Sequence, residues 1–388
     1  MDRRLIIGVV ATEFSPALGG MERHAEGLCR ALSKEHSVVV FTTAEHADVR
    51  YGEFFSVESV LSFDIEKDLK YLRAIKPDFW LILNAGYASL SLKLRAPVFV
   101  YCHGNDFLNP WVSSHNILTY RLPKTLAGTP FLWRYSKYAE EKFRRKRISK
   151  GLMFSAGIFV NSSYTRDVLN STFPKCGKVA KISHPAVGDE FFANSPFPVR
   201  NSMMPRNKNL RIFTAARLSS VVPEKNIDRL ICAISQLPDS LNAVLTIAGD
   251  GDLLAEFKTL ARDLGISEKI QFLGRKTSTE IQKNLQESDL FVLVSLESFG
   301  IVYAEAAACG VPALANGKRV TDAVIPGTTG LLTTGAQVED IVCGIKRFVD
   351  TRSEFDPLRL VEFATRFKQE NIASELLSSI KSALEVSR

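Results

Sequence analysis

Cysteine is scarce in this chain of 388 residues: there are six, at positions 29, 102, 176, 232, 309 and 343, far apart and with no Cys-x-x-Cys pair. That spacing argues against a disulfide scaffold and a thiolate metal site, and it predicts reduced, mostly buried thiols in a reducing compartment. Long hydrophobic runs are missing too, so no segment is expected to cross a bilayer. The first apolar run, 5–11, is short and leads into Thr12-Glu13 without a small-residue cleavage site, which argues against a secretory leader. The Asn-x-Ser/Thr matches at Asn161 and Asn170 are then read as chance. Neither a short-period repeat nor a low-complexity tract is found, and no base-reading module is recognisable, so nucleic acid is not an expected partner. The expectation is a cytoplasmic chain, soluble or peripheral at the inner face of the membrane.

What is present is ordinary globular material, 46% hydrophobic and 23% charged with a net charge of +7, but too long for one core. Two domains are therefore expected. Short apolar runs at 5–11, 37–43, 79–83, 97–101, 157–161 and 181–184 read as buried strands, with helices at 21–32 and 163–171 among the segments between them. A stretch rich in Pro, Asn, Ser and Arg, 194–209, reads as a linker. A second alternation follows, with strands at 210–215, 243–248, 270–273 and 290–295. Its helices are predicted over 226–236, 253–264 and 277–287, and 355–386 is largely helical. Strand–helix alternation of this kind builds doubly wound parallel sheets, here two of them: an α/β fold.

The stretch Glu297-Ser-Phe-Gly-Ile-Val-Tyr-Ala-Glu305 carries the chemistry. It begins where an apolar strand ends and runs into an Ala-rich helix that Gly310-Val-Pro312 stops. Glu297 falls in the turn and Glu305 more than a turn into the helix. A helix start attracts anions through its unpaired N–H groups, phosphate above all. Arg217 follows the first strand of the second half, and Lys225 lies eight residues on, ahead of a helix. Ligands of such sheets bind at the carboxyl ends of the strands, where two cations neutralise a diphosphate and stabilise it as it departs. Paired glutamates also suit the acid and nucleophile of a glycoside hydrolase, but that chemistry has no use for a diphosphate cradle. Asp250-Gly-Asp252 superficially matches a metal-binding Asp-x-Asp; its place between a strand and a helix favours a turn.

Glu297-Ser-Phe-Gly-Ile…Glu305 with Cys309-Gly-Val-Pro312 resembles the signature of retaining GT-B glycosyltransferases of family 4. The likeness continues through Ala216-Arg217-Leu218…Glu224-Lys225, Gly249-Asp-Gly251, Phe272-Leu-Gly274 and Gly327-Thr-Thr-Gly-Leu331, and into the first half at Gly19-Gly-Met-Glu22, His103-Gly104 and Pro185…Phe191. It implies two Rossmann-like domains facing a central cleft: 1–195 for the acceptor, a linker at 196–209, 210–360 for the donor, and 361–388 returning to the first domain. By the same likeness Glu305 binds the donor ribose, Arg217 and Lys225 the diphosphate, and Glu297 the sugar hydroxyls. Backbone N–H groups of Ser298, Phe299, Gly300 and Ile301 complete the cradle, and Arg275 meets the base. Gly19 and Gly20 approach the diphosphate, and His103 contacts the transferred sugar. His103 also stands at a ligand-facing strand end, whereas Glu22 is read as structural, a carboxylate at a helix start.

The resemblance implies a nucleotide-sugar donor, with a UDP-sugar favoured, a cell-envelope glycan or lipid-linked acceptor such as lipopolysaccharide core or polysaccharide, retention, and no metal or cofactor beyond the donor. Alternatives are a nucleotide-sugar 2-epimerase on the same architecture and a non-catalytic nucleotide-sugar-binding module. Two departures stand out. Ser220-Val-Val widens the Arg217–Lys225 spacing, and Asn316-Gly-Lys-Arg-Val-Thr-Asp322 replaces the family's glycines and glutamate. Finally, Arg134–Lys150 holds eight basic and two acidic residues with interspersed aromatics, read either as a solvated face or as a contact for an anionic membrane or acceptor.

Overall fold

A computed structural model describes residues 3–14, 19–43, 49–50, 55–108, 130–176, 180–192, 209–220, 225–319 and 322–386. The chain folds as two compact units, Met1–Ala186 with Gln369–Arg388, and Val187–Lys368.

Among the described residues the first unit holds β1 (Ile6–Val10), β2 (Ser37–Thr43), β3 (Val49–Arg50), β4 (Phe55–Leu61), β5 (Phe79–Ile82), β6 (Val98–Cys102), β7 (Gly157–Val160) and β8 (Ala180–Ile182). They form one sheet in the order β3-β4-β2-β1-β5-β6-β7-β8. Every pairing is parallel except the short antiparallel β3–β4 edge. Alternate residues of each strand feed two separate cores, as period-two geometry requires. Val10, Trp80, Ile82 and Val100 face α2 (Ile65–Leu72) and α3 (Pro130–Phe154). Ile7, Val9, Leu81 and Phe99 face α1 (Gly20–Ser33). Helix α4 (Ser163–Thr172) belongs to the same unit. The sequence reading lacked β4 and α2; the alternation of Phe55 and Val57 with Ser56 and Glu58, buried and half-buried in turn, is the signal for such a strand.

The second unit holds β9 (Arg211–Ala215), β10 (Val244–Ala248), β11 (Ile270–Gly274), β12 (Leu290–Leu293), β13 (Ala313–Asn316) and β14 (Gly330–Thr333). The order is β11-β10-β9-β12-β13-β14, parallel throughout. Its helices are α5 (Ile227–Ser235), α6 (Leu254–Asp263), α7 (Ser278–Gln286), α8 (Ile301–Ala308), α9 (Val338–Thr351) and α10 (Pro357–Ala364). Strand order reverses between β9 and β12, so the connections leaving these two neighbours depart to opposite faces and leave a crevice at their carboxyl ends.

The units divide at places other than 195 and 361. Val187 and Phe191 belong to the second core, and Val187 N–H donates to the Phe367 carbonyl at 2.8 Å. Leu360, Phe363 and Phe367 are buried in that same core. The returning segment is therefore α11 (Gln369–Val386), which packs beside α1 with Ala373, Leu376 and Ile380 on one face, in the first core. Of the expected linker only Asn209 lies within the described residues.

Candidate functional site

The Glu297 turn and its helix occupy the carboxyl end of β12, at the reversal. The motif residues divide between packing and the strand-end surface. Phe299 is 1% exposed and stacks edge-on against Phe367 with ring centroids 5.2 Å apart, so its side chain is core and only its backbone is at the turn. Tyr303 packs on Phe291 and donates its hydroxyl to the Leu293 carbonyl at the strand's own end. Gly300, at φ +73°, caps α8 in the left-handed region, and a Cβ there would meet the Tyr303 ring at 2.4 Å. Glycine is required for both reasons. The N–H groups of the first turn of α8, from Ile301, thus arrive at the strand end. Glu305 is the fifth helical residue and is 2% exposed.

Glu297 is half-buried. Its Oε1 accepts from Ser295 Oγ at 2.6 Å and forms an ion pair with Lys225 Nζ. Burial pushes this carboxyl up, but the Lys225 charge, hydrogen bonds from Lys225 and Ser295, and the Arg319 charge outweigh it and hold the group below its ordinary value. Arg319 Nη1 donates to the Leu296 carbonyl, which braces the same turn from the loop after β13. Asn226, left-handed at φ +54°, donates to the Val294 carbonyl at 2.7 Å and fixes Lys225 beside β12.

Arg217 is exposed on the loop after β9 and, among the described residues, pairs with no carboxylate. That loop is braced from β10: Leu218 N–H donates to the Asp250 carbonyl, and a Cβ on Gly249 would lie 1.9 Å from the Ala216 carbonyl oxygen. Ser220 N–H and hydroxyl donate to Asp252, whose carboxyl hydrogen bonds from Ser220 and Ser219 hold down at about 2. Asp250-Gly-Asp252 is a turn, as its position suggested; among the described residues no group of three or more His, Cys, Asp or Glu side chains is placed to hold a metal. Arg275 is exposed after Gly274, whose carbonyl accepts from Gly249 N–H at 2.9 Å. Arg217, Lys225, Arg275, Glu297 and Glu305 thus gather at one edge of one sheet. Of the extra residues Ser220-Val-Val, Ser220 is the one bonded to Asp252, and Val221 and Val222 lie outside the described residues.

The first unit has its own strand-end cluster. Gly19 caps α1 and Gly20 opens it, with the Glu22 carboxylate folded over Gly19; residues 15–18 are outside the described set. His103, after β6, is 8% exposed. Its ring lies 4.8 Å from Tyr101 and 6.2 Å from His24. His24 Nδ1 accepts from Ala186 N–H at 3.0 Å, which leaves the proton on Nε2. Burial and then His103 hold His24 down at about 3. Burial lowers His103 as well, against the opposing Asp106 charge and a hydrogen bond to the Leu83 backbone. His24 and Asp106 were not singled out from sequence; both are ordinary in a linear reading, and only the topology brings them to His103.

Comparison with known proteins bears on the family and the fold. The model for Glycosyltransferase Family 4 matches residues 18–186, and that for Glycosyl transferases group 1 matches 203–370. Solved structures with the same fold include sucrose-phosphate synthase from Thermosynechococcus elongatus, at 17% identity and TM-score 0.74 over 99% of this chain and 100% of that one. HepE from Anabaena, in complex with UDP and glucose, has 18% identity and TM-score 0.68 over 98% and 100%. Fold and matches define a two-domain Rossmann-like GT-B protein; this chain belongs to the GT-B glycosyltransferases of family 4 type. A GDP-mannose-dependent alpha-(1-6)-phosphatidylinositol monomannoside mannosyltransferase of Mycolicibacterium smegmatis is 32% identical over 199 residues, 47% of this chain and 50% of that protein. A D-inositol 3-phosphate glycosyltransferase of Mycobacteroides abscessus is 30% identical over 242 residues, 58% and 52%. The chain spans about half the length of the curated relatives it matches.

The ion pair at Glu297 makes a pH prediction. With its folded pKa below the unfolded value, Glu297 contributes stability that is present above the unfolded pKa and lost as pH falls through the folded one. Lys225→Met removes the main compensating charge, leaves burial to dominate and raises the folded pKa, so that contribution disappears. Thermal unfolding measured from about pH 3 to pH 6, across and below the ordinary glutamate value, should show wild type gaining stability with pH more steeply than Lys225→Met. Parallel curves would contradict the assigned pairing.

Proposed function

We propose that the protein transfers a sugar, with retention, from a nucleoside-diphosphate donor to a hydroxyl of a cell-envelope glycan or lipid-linked acceptor. The observation that carries this reading is the strand-end cluster of the second unit: Arg217 and the Lys225–Glu297 pair at the sheet reversal, with the Glu305 helix starting beside them. A diphosphate there meets two cations and a helix N-terminus, which stabilise it as leaving group without a metal. Without donor, Lys225 is occupied by Glu297. Donor phosphate oxygens compete for that ammonium, and the carboxylate released accepts from the sugar hydroxyls. Glu305 takes the ribose hydroxyls, the backbone from Ser298 to Ile301 the phosphate and sugar, and Arg275 the base.

In the reaction the acceptor oxygen bonds to the anomeric carbon on the face the diphosphate leaves. The carbon–oxygen bond to the phosphate breaks, and a phosphate oxygen takes the acceptor proton. Such a step calls for charge compensation and orientation rather than a general acid, because the diphosphate is already a good leaving group. His103 is read as the contact for the transferred sugar. The sequence alone favoured UDP-sugars; the mannosyltransferase relatives are named for GDP-mannose, so both bases belong in the test. Helix α3 adds a surface suited to anionic lipid: Phe143, Met153 and Phe154 are exposed beside exposed Lys142, Lys146 and Lys150, in and just beyond the Arg134–Lys150 segment. Side chains of 134–141 lie outside the described ones. No helix among the described residues is long and apolar enough to cross a membrane.

A thermal-shift screen of UDP-, GDP- and ADP-sugars tests the donor reading. A true donor at a hundredfold excess over Kd stabilises by about 2.7 kcal/mol. Arg217→Ala should leave intrinsic stability within about 0.5 kcal/mol, the substitution being exposed, while transfer falls roughly 10²–10³-fold. Full transfer activity in that variant removes the assignment. Co-sedimentation with vesicles checks the α3 surface: binding should be stronger to anionic than to neutral lipid, and equal binding to both sinks that part.

A further inference from the structure

Within the first unit, one buried carboxylate ties together strand-end loops that the sheet places side by side. Asp106 is 5% exposed, on the helical turn after β6. Its Oδ1 accepts from the backbone N–H groups of His103, at 3.0 Å, and Gly104, at 2.9 Å. Its Oδ2 accepts from Ala85 N–H at 2.8 Å, across 21 residues of sequence, on the loop after the neighbouring strand β5. The adjoining Asn84 donates to Thr12 Oγ1 at 2.8 Å, on the loop after β1. On the other side Asn161, just past β7, donates to the His103 carbonyl at 3.2 Å. Both backbone polar groups of His103 are thus held by side chains, and the loops after four adjacent strands are locked to one another. Short, charge-assisted bonds inside a buried site are the strongest available for this purpose.

We propose that Asp106 is a positioning residue for His103: its carboxylate fixes the main chain that carries the imidazole and holds a negative charge close to that ring. Asparagine has the same shape and cannot do the same work. An amide offers only one acceptor oxygen, so at least one of the three N–H donors is left unpaired, and the charge is gone. Three titratable groups face the His103 ring among the described residues: Asp106 on its own turn, His24 from α1 and Tyr101 from β6. Of these Asp106 is the carboxylate, and its charge opposes the effect of burial on the imidazole. Burial pushes the Asp106 carboxyl itself up, and His103 and the three N–H donors hold it back.

The inference rests on reading His103 as the sugar-facing residue, and the experiment separates the two. In the full-length chain, the ring carbon resonances of the histidines are titrated by NMR, with His103→Gln identifying the signal. In Asp106→Asn the His103 titration should move to lower pH by about one unit or more, as expected for the loss of an opposite charge at this range. A position unmoved within error in a folded Asp106→Asn overturns the proposal. Hydrogen exchange of the wild-type amides decides the matter where that variant does not fold. Ala85, His103 and Gly104 should be protected as strongly as the interiors of β5 and β6, and exchange at the rate of open loops overturns it. Neither arm uses sugar transfer, so failure of the transfer assay leaves this inference intact. Where transfer is measured, Asp106→Asn should lower kcat roughly a hundredfold with the donor KM unchanged, whereas a merely destabilised variant recovers wild-type kcat per folded molecule.

Discussion

Parallel strand polarity governs where chemistry can sit in this molecule. A parallel strand cannot return by a hairpin, so each is followed by a crossover, usually a helix, and all strand ends point to one edge of the sheet. In the second unit that edge collects Arg217 from β9, Gly249 to Asp252 from β10, Arg275 from β11, Glu297 from β12 and Arg319 from the loop after β13. These residues span a hundred positions of sequence, yet the sheet order makes them neighbours. The reversal between β9 and β12 then opens the space in which the Lys225–Glu297 pair stands. In the first unit the same constraint brings Thr12, Asn84, His103 and Asn161 to one edge, where Asp106 and its partners tie them together.

Charge and burial are matched differently at the two edges. Glu297 is kept ionised by a lysine, a hydroxyl and a nearby guanidinium, an arrangement that a polyanionic ligand can rearrange by exchanging partners. Around His103 the compensation comes from backbone N–H groups and buried side chains, and the imidazoles stay neutral. The edge of the second unit thus pairs side-chain charges, whereas that of the first surrounds a neutral ring with backbone donors and buried side chains.

Much of this was legible in sequence, and the reasons are local. The strand ending at Ser295, the glycine at 300, the Ala-rich helix and the Gly310-Val-Pro stop define their element within eighteen residues, because backbone geometry alone demands those residue types. Fully buried parallel strands such as Phe79–Ile82 announce themselves as unbroken apolar runs. What was missed depends on long-range partners. The Lys225–Glu297 pair closes across 72 residues and the Asp106–Ala85 bond across 21, and neither leaves a periodic trace. Loop composition pointed to 194–209 as the boundary, but the units part at Val187 because Phe191 finds its place in the second core. Composition reports what a segment is made of, and packing decides to which unit it belongs.

The proposed nucleotide-diphosphate site is the carboxyl edge of the second sheet. Hydrogen exchange by mass spectrometry, with and without a nucleotide sugar selected for binding, tests it directly. Exchange is expected to slow in the peptides spanning 215–218, 249–252, 274–276 and 295–305, with the remainder of that unit unchanged. Saturating donor that leaves those four segments unprotected while slowing exchange elsewhere in the chain would contradict it.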